Sequence, residues 1–174
     1  MGKFKLTYFN ARGAAEPVRL MFAAAGVEYE DVRLSGDDWA KLKPDTIFGH
    51  VPQLECGDKK LAEQGAIVRF VARETGFAGK CSAEEAICDM VFEATKSETW
   101  MQLTSWFFSK DEKEKAEKMT KFADETLPAF YEKLEKLYKT LKPAGEGYFV
   151  GDALTYADIY VYYTVCTFEK MCPG

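Results

Sequence analysis

The sequence has few of the side chains from which metal and redox centres are built. It contains one histidine, His50, and five cysteines among 174 residues, and no two cysteines have the C-x-x-C spacing. An odd cysteine count without that spacing argues against a disulfide framework, a zinc site and a dithiol redox centre. We therefore expect no bound metal, and cysteines that serve as small buried or surface thiols.

The sequence also lacks the patterns typical of membrane spans, nucleic-acid interfaces and phosphate loops. No apolar run reaches the roughly 20 residues of a membrane span. The net charge of −5 comes from acids mixed with lysines, with no basic stripe, and the motif G-x-x-x-x-G-K-[S/T] does not occur. We expect neither a membrane nor a nucleic acid as partner. Because the first residues lack the apolar stretch of a signal peptide, we expect a cytoplasmic location.

The first eighty residues change repeatedly between the two-residue period of strands and the longer period of helices. Gly26 and Gly76 are placed to end helices, and Gly57 lies in the turn of a hairpin. The order βαβαββα predicts a mixed sheet flanked by helices. The predicted strands cover 3–9, 28–34, 51–56 and 59–61, and the predicted helices cover 14–25, 37–43 and 66–74.

Strand patterns end at the linker 77–82, and the rest of the chain predicts helices alone. Two long helices are expected over 83–109 and 111–141, and a third over 156–171. Thr155 and Asp158 have the spacing of a capping box at the start of the third helix. On the first long helix the predicted inner face consists of Ile87, Met90, Val91, Ala94 and Met101.

Two features could carry chemistry, although the residues alone leave each of them open. Tyr8 lies near the end of the first predicted strand, where a tyrosine is more often a packing residue than a functional phenol. The segment Phe48-Gly49-His50-Val51-Pro52 could hold a cis proline at the start of a strand, but the general preference of X-Pro bonds favours trans.

Four segments, taken together and in order, resemble the cytosolic glutathione transferase family, and its tyrosine-type, sigma-like branch in particular. That branch also includes glutathione-dependent prostaglandin D synthases and cephalopod lens crystallins. The resemblance implies a thioredoxin-like α/β domain (βαβαββα) over residues 1–78 and an all-α domain over 83–174 that lacks its last helices. The four segments are Leu6–Gly13 with Ala15–Arg19, Phe48–Leu54, Ala66–Phe70, and Phe149–Asp152 with Thr155, Ala157 and Asp158.

The resemblance also implies a glutathione-binding role for individual residues. Tyr8 would be the catalytic residue, donating its hydroxyl hydrogen to the glutathione sulfur. The remaining implied contacts are Trp39 and Lys43 at the glycine end of the peptide, His50 where relatives often have glutamine or lysine, and the backbone of Val51, before a cis Pro52, at the cysteinyl part.

Three residues depart from the family pattern. Glu63-Gln64 replaces a Gln-Ser pair whose serine receives the γ-glutamyl carboxylate, and Ala14 stands where many sigma-like members have an arginine. Gln64 can still donate through its amide. Glu63 could attract the ammonium of the peptide and repel its carboxylate.

Three functions remain open from the sequence. The first is a homodimeric glutathione transferase of detoxification, with glutathione as co-substrate, no metal, and a small electrophilic or lipid-derived second substrate. The second is a glutathione-dependent isomerase of the prostaglandin type. The third is a structural relative of low activity, similar to a lens crystallin.

Overall fold

The computed structural model describes residues 3–142 and 147–172, without the side chains at positions 105 and 106. Residues 1–2, 143–146 and 173–174 of the two predicted domains lie outside the described residues. The chain forms two compact units, Met1–Ala78 and Gly79–Gly174.

The first unit is built on a four-stranded mixed sheet with the strand order β2-β1-β3-β4. β1 is parallel to β2 and antiparallel to β3, and β3 is antiparallel to β4. The predicted βαβαββα order and the thioredoxin-like fold class are confirmed. The elements are β1 (Phe4–Phe9), α1 (Glu16–Ala25), β2 (Tyr29–Leu34), α2 (Gly36–Leu42), β3 (Gln53–Cys56), β4 (Lys59–Ala62) and α3 (Gln64–Thr75), with 3-10 turns at Gly13–Ala15 and Lys43–Asp45.

Apolar residues on alternate positions of the strands meet the apolar stripes of α1 and α3 in the core of the first unit. The ring of Phe4 on β1 lies 4.9 Å from that of Phe22 on α1, centroid to centroid. Gly26 and Gly76, both with positive φ, end α1 and α3. The fully buried core residues include Leu6, Val18, Met21, Leu54, Ile67, Val68 and Val71.

Helices and the loops between them make up the described part of the second unit. Its helices are α4 (Ser82–Thr95), α5 (Met101–Phe107), α6 (Glu112–Lys121), α7 (Leu127–Leu141) and α8 (Tyr156–Met171). Among the described residues, no helix is long and apolar enough to cross a membrane.

Each of the two long predicted helices contains one wider, π-helical turn, at Lys96–Trp100 and Phe122–Thr126. The second turn lies just before Pro128. In a regular α-helix the ring of Pro128 would clash with the carbonyl of residue 124, and proline has no N–H to donate to that carbonyl. At the first, the hydroxyls of Thr95 and Thr99 donate to the carbonyls four residues earlier, a bond that bends helices. The prediction of two uninterrupted helices was therefore wrong in this detail.

The inner face of α4 also differs from the prediction. Cys88, Val91, Phe92 and Thr95 are buried, whereas Met90 is 47% exposed. Met101, which the prediction placed on the same face, is 58% exposed and lies after the π-helical turn. The predicted apolar stripe is therefore about one position out of register with the buried one, because an apolar residue such as Met90 lies outside the buried face.

The start of α8 is held by the Asp158 carboxylate, as the predicted capping box requires. One carboxylate oxygen accepts from the backbone N–H of Thr155 at 2.9 Å and from its hydroxyl at 2.7 Å. The other accepts from the N–H of Phe149 at 2.8 Å and thereby ties the preceding loop to the helix.

Asp158→Ala is expected to lower the free energy of unfolding by about 3 kcal/mol, because it leaves three donors of a charge-assisted network without an acceptor. Urea unfolding followed by circular dichroism measures the change. Asp152→Ala is the matched control, since the Asp152 carboxylate is exposed and its surface ion pair with Lys80 contributes little to stability; this variant should unfold nearly like the parent protein. Equal midpoints for the two variants would contradict the structural role of Asp158.

Candidate functional site

The residues that the sequence singles out lie at one end of the sheet in the first unit, where strands end or begin. β1 and β2 end there, and because β3 runs antiparallel to β1, it begins there. β4, antiparallel to β3, ends there as well, with Ala62 opposite Gln53. Tyr8 is the penultimate residue of β1, and the segments that follow or precede the other strand ends contain the remaining seven predicted site residues.

Tyr8 lies next to the end of β1, and its hydroxyl oxygen accepts a hydrogen bond from the backbone N–H of Ala14 at 3.2 Å. The loop passes so close to the phenol that a Cβ added to Gly13 would lie 2.6 Å from the Tyr8 hydroxyl oxygen. Gly13 also has φ +44°, a conformation that favours glycine. Since the oxygen already accepts a bond, the hydroxyl hydrogen is the group that Tyr8 can offer to a second partner.

Gln64, the first residue of α3, reaches the same loop from the other side. Its side-chain amide donates to the carbonyl of Ala14 at 3.0 Å, which uses one of the two amide hydrogens. Glu63, just before it, has φ 68°, which is unusual for a residue with a side chain. Such a conformation costs about 1–3 kcal/mol and is typical of functional sites.

A buried arginine fixes the first half of the loop between β1 and α1. The Arg19 guanidinium donates to the carbonyls of Ala11 and Arg12, at 2.8 and 3.3 Å. It also pairs with the carboxylates of Glu16 and Asp31. The loop is thus bonded to two side chains from different helices, Arg19 on α1 and Gln64 on α3.

Trp39 and Lys43 lie together beside the end of β1. The Trp39 ring makes an edge contact with Phe9, with centroids 5.4 Å apart, and the Lys43 ammonium is 6.0 Å from the Trp39 ring centroid. The short helix α2 that carries Trp39 begins with a capping box of Ser35 and Asp38. Hydrogen bonds from the Ser35 side chain and backbone hold the pKa of the Asp38 carboxyl below its usual range.

His50 lies opposite Glu63, with 3.1 Å between Nε2 and the carboxylate oxygen. Both side chains are about half exposed, and the His50 ring stacks against Phe48. The Val51-Pro52 bond is cis, as the resemblance implies and against the general preference for trans.

The cysteines and acids do not form a competing site in the part of the chain that the structure describes. No cluster of three or more histidine, cysteine, aspartate or glutamate side chains suited to a metal occurs among those residues. Burial raises the pKa of the Cys88 thiol to about 11, so this thiol is protonated and unreactive at neutral pH.

The eight predicted site residues fall into three neighbouring groups: Tyr8 with Gln64 through Ala14, Trp39 with Lys43, and His50 with Glu63 next to Val51-Pro52. Sequence reasoning missed two contributors, the Gly13 Cα and the Ala14 amide. Gly13, a glycine directly after a strand and its turn, was the available signal. Backbone donors such as the Ala14 amide leave no signal in the sequence.

Comparison with known proteins identifies the family. Residues 4–73 match the profile described as "Glutathione S-transferase, N-terminal domain", and residues 97–173 match that of the C-terminal domain. "Glutathione S-transferase 1" of Ascaris suum is 38% identical, over 99% of this chain and 84% of that protein. "Hematopoietic prostaglandin D synthase" of Gallus gallus is 40% identical, over 96% of this chain and 79% of that protein.

Solved structures agree with these matches. A glutathione S-transferase of the hookworm Necator americanus, described as monomeric, superposes with a TM-score of 0.83 at 41% identity, covering 98% of this chain and 83% of that one. Both domain profiles and relatives along nearly the whole sequence thus agree with the fold and with the four motifs, and the chain belongs to the glutathione S-transferase family.

Proposed function

We propose that this protein binds glutathione at the end of the sheet described above and that Tyr8 holds the glutathione sulfur as a thiolate. The observation that carries the proposal is the hydrogen bond from Ala14 to the Tyr8 oxygen, which leaves the phenol hydrogen for an acceptor outside the loop. A thiolate is such an acceptor, and it is also the nucleophilic form of the thiol.

One hydroxyl donor is sufficient for this activation. A free cysteine thiol has a pKa of about 8.5, so roughly 3% is ionised at pH 7. Lowering that pKa by about two units makes roughly three quarters of the thiol ionised and requires about 2.7 kcal/mol. A hydrogen bond to a charged group supplies about 1.5–3 kcal/mol. Neither a metal nor a histidine is needed for the step.

The remaining site residues would hold the peptide. Trp39 and Lys43 offer an N–H donor and a positive charge for the glycine carboxylate. The Val51 backbone, ahead of Pro52, would pair with the cysteinyl part in the manner of an added strand. The backbone amides at the start of α3 and the second amide hydrogen of Gln64 would meet the γ-glutamyl carboxylate, next to the paired side chains of His50 and Glu63.

The reaction that follows is conjugation. The bound thiolate uses a sulfur lone pair to form a bond to an electrophilic carbon, and the leaving group departs with its bonding electrons. The protein contributes the proximity of two bound reactants and the ionised sulfur. We infer a role in the detoxification of small electrophiles in the cytoplasm, in keeping with the family.

An isomerase of the prostaglandin type is the second candidate, favoured by the 40% identity to the Gallus gallus synthase. Isomerisation returns glutathione unchanged, whereas conjugation consumes one glutathione for each product. Incubation with a prostaglandin endoperoxide or with an aryl halide, with glutathione counted in both, separates the two. Retention on glutathione-agarose without either activity would favour the structural alternative.

Tyr8→Phe tests the activation step, because it keeps the ring and removes the hydroxyl donor. The pKa of the bound thiol should rise by about two units, which lowers the thiolate fraction roughly 25-fold at pH 7. The loss of conjugation rate should shrink as pH increases, because solvent then removes the proton. Ultraviolet thiolate absorbance and the rate with an aryl halide, both against pH, measure the effect.

Tyr29→Phe is the control for that variant. Tyr29 begins β2 opposite Phe4, at the far end of the sheet from Tyr8, and its ring stacks on Phe22. Its thiolate titration should match that of the parent protein. An unchanged titration in Tyr8→Phe would mean that Tyr8 is a packing residue and that the proposed mechanism is wrong.

Gly13→Ala tests the close approach of the loop to the phenol. Both Gly13 and Gly26 have positive φ, so alanine at either position should lower stability by about 1 kcal/mol. Only at Gly13 does the new Cβ meet the Tyr8 hydroxyl, whereas at Gly26 it meets nothing within 4 Å. Gly13→Ala alone should therefore raise the pKa of the bound thiol, and equal titrations of the two variants would refute this reading of the contact.

We also propose a two-fold homodimer, which the family resemblance favours over a monomer. In this arrangement the first domain of one subunit faces the two long helices of the other. The Necator americanus relative described as monomeric is the reason to test it. Sedimentation velocity at roughly tens of micromolar should show a species of twice the chain mass, and a single monomeric species would contradict the proposal.

A further inference from the structure

We infer that Gln64 is a positioning residue that acts on the reaction through Ala14, by holding the amide of Ala14 against the Tyr8 hydroxyl. The inference rests on the proposed role of Tyr8 and extends it to a residue that is fifty positions from Ala14 in the sequence. It concerns the side chain of Gln64 as a part of the catalytic support rather than as a contact of the peptide.

The geometry joins three groups in a chain of hydrogen bonds. The Gln64 amide donates to the Ala14 carbonyl at 3.0 Å, and the Ala14 N–H donates to the Tyr8 oxygen at 3.2 Å. Both bonds are partly buried, so water competes with them less than it does at an open surface. The N–H and the carbonyl of Ala14 are therefore each bonded to one side chain.

The other side-chain anchor of the loop lies on the opposite side of Gly13. Arg19 fixes the carbonyls of Ala11 and Arg12, which lie before Gly13, and the 3-10 turn at Gly13–Ala15 is closed by the Glu16 N–H on the Gly13 carbonyl. Glycine permits a wide range of φ and ψ, so the anchor before Gly13 restrains the Ala14 amide less directly than a bond to Ala14 itself. Gln64 makes that bond, on the far side of Gly13.

The length of the glutamine side chain matters for this role. The serine that the family resemblance leads one to expect at this position has a hydroxyl only one carbon from the backbone, two carbons fewer than the glutamine amide nitrogen needs to span the same gap. The Glu63-Gln64 departure therefore changes how the loop is supported as well as how the γ-glutamyl carboxylate is met.

The effect on the chemistry follows from the phenol acting as acceptor and donor at once. A hydroxyl that accepts a hydrogen bond donates its own hydrogen more strongly, by roughly 10–30% per bond in a chain. Loss of the Gln64 bond should weaken the Ala14 contact and with it the stabilisation of the thiolate. The expected result is a rise of about 0.5 in the pKa of the bound thiol, or about a threefold loss of thiolate at low pH.

Gln64→Met tests this inference, since methionine has a similar length and shape but no donor. The thiolate titration of bound glutathione should shift by about 0.5. Gln102→Met, at an exposed glutamine of α5 in the second unit, is the matched control and should leave the titration unchanged. Gln64→Ser, which is too short to reach Ala14, should reproduce the shift and serves if the methionine variant does not fold.

A double-mutant cycle with Tyr8→Phe distinguishes this role from a general structural one. If Gln64 acts through the Tyr8 hydroxyl, Gln64→Met should produce no further shift once that hydroxyl is absent. No shift in the parent background, or the same shift in both backgrounds, would overturn the inference while a large effect of Tyr8→Phe alone kept the proposed function intact. An unchanged titration in Tyr8→Phe would instead refute the proposed function itself.

Discussion

The hydrogen bond between the Ala14 amide and the Tyr8 oxygen decides what the phenol can do. It occupies a lone pair of the oxygen and directs the hydroxyl hydrogen toward another acceptor. Around this bond lie a residue without a side chain at position 13, a buried arginine bonded to the first half of the loop and a glutamine bonded to the second half. A single tyrosine thus becomes a directed donor because the backbone around it is held in place.

The strand order explains why so few residues suffice for a site. Three strands, β1, β2 and β4, end at one end of the sheet, and the antiparallel strand β3 begins there. The segments that carry residues 8, 39, 50 and 64 therefore meet at that end. The position of ligands at the ends of strands in open α/β sheets follows the same rule. The apolar core and the candidate site occupy different parts of the first unit, because the core lies between the sheet and its helices and the polar groups lie at the strand ends.

The sequence predicted the elements well where one period was unambiguous and less well where two causes competed. β1, α1 and α3 followed from alternation, apolar spacing and glycine stops. The buried face of α4 was predicted wrongly because Met90 and Met101 are apolar yet exposed. The π-helical turn before Pro128 was missed because apolar spacing alone does not reveal such a turn. In the site, side chains such as Tyr8 and Trp39 were predictable from resemblance, but the Ala14 amide and the reach of Gln64 depend on backbone geometry, which no motif encodes.

The π-helical turns at Lys96–Trp100 and Phe122–Thr126 have a consequence for how the family can change over time. Each such turn behaves as one residue inserted into an α-helix. If one residue were deleted and the turn closed to a regular α-helix, the later side chains of that helix would keep the directions they have now. If the turn closed without a deletion, those side chains would rotate by about 100° relative to the residues before it. A one-residue gap in an alignment of this region would therefore be compatible with an unchanged helix surface.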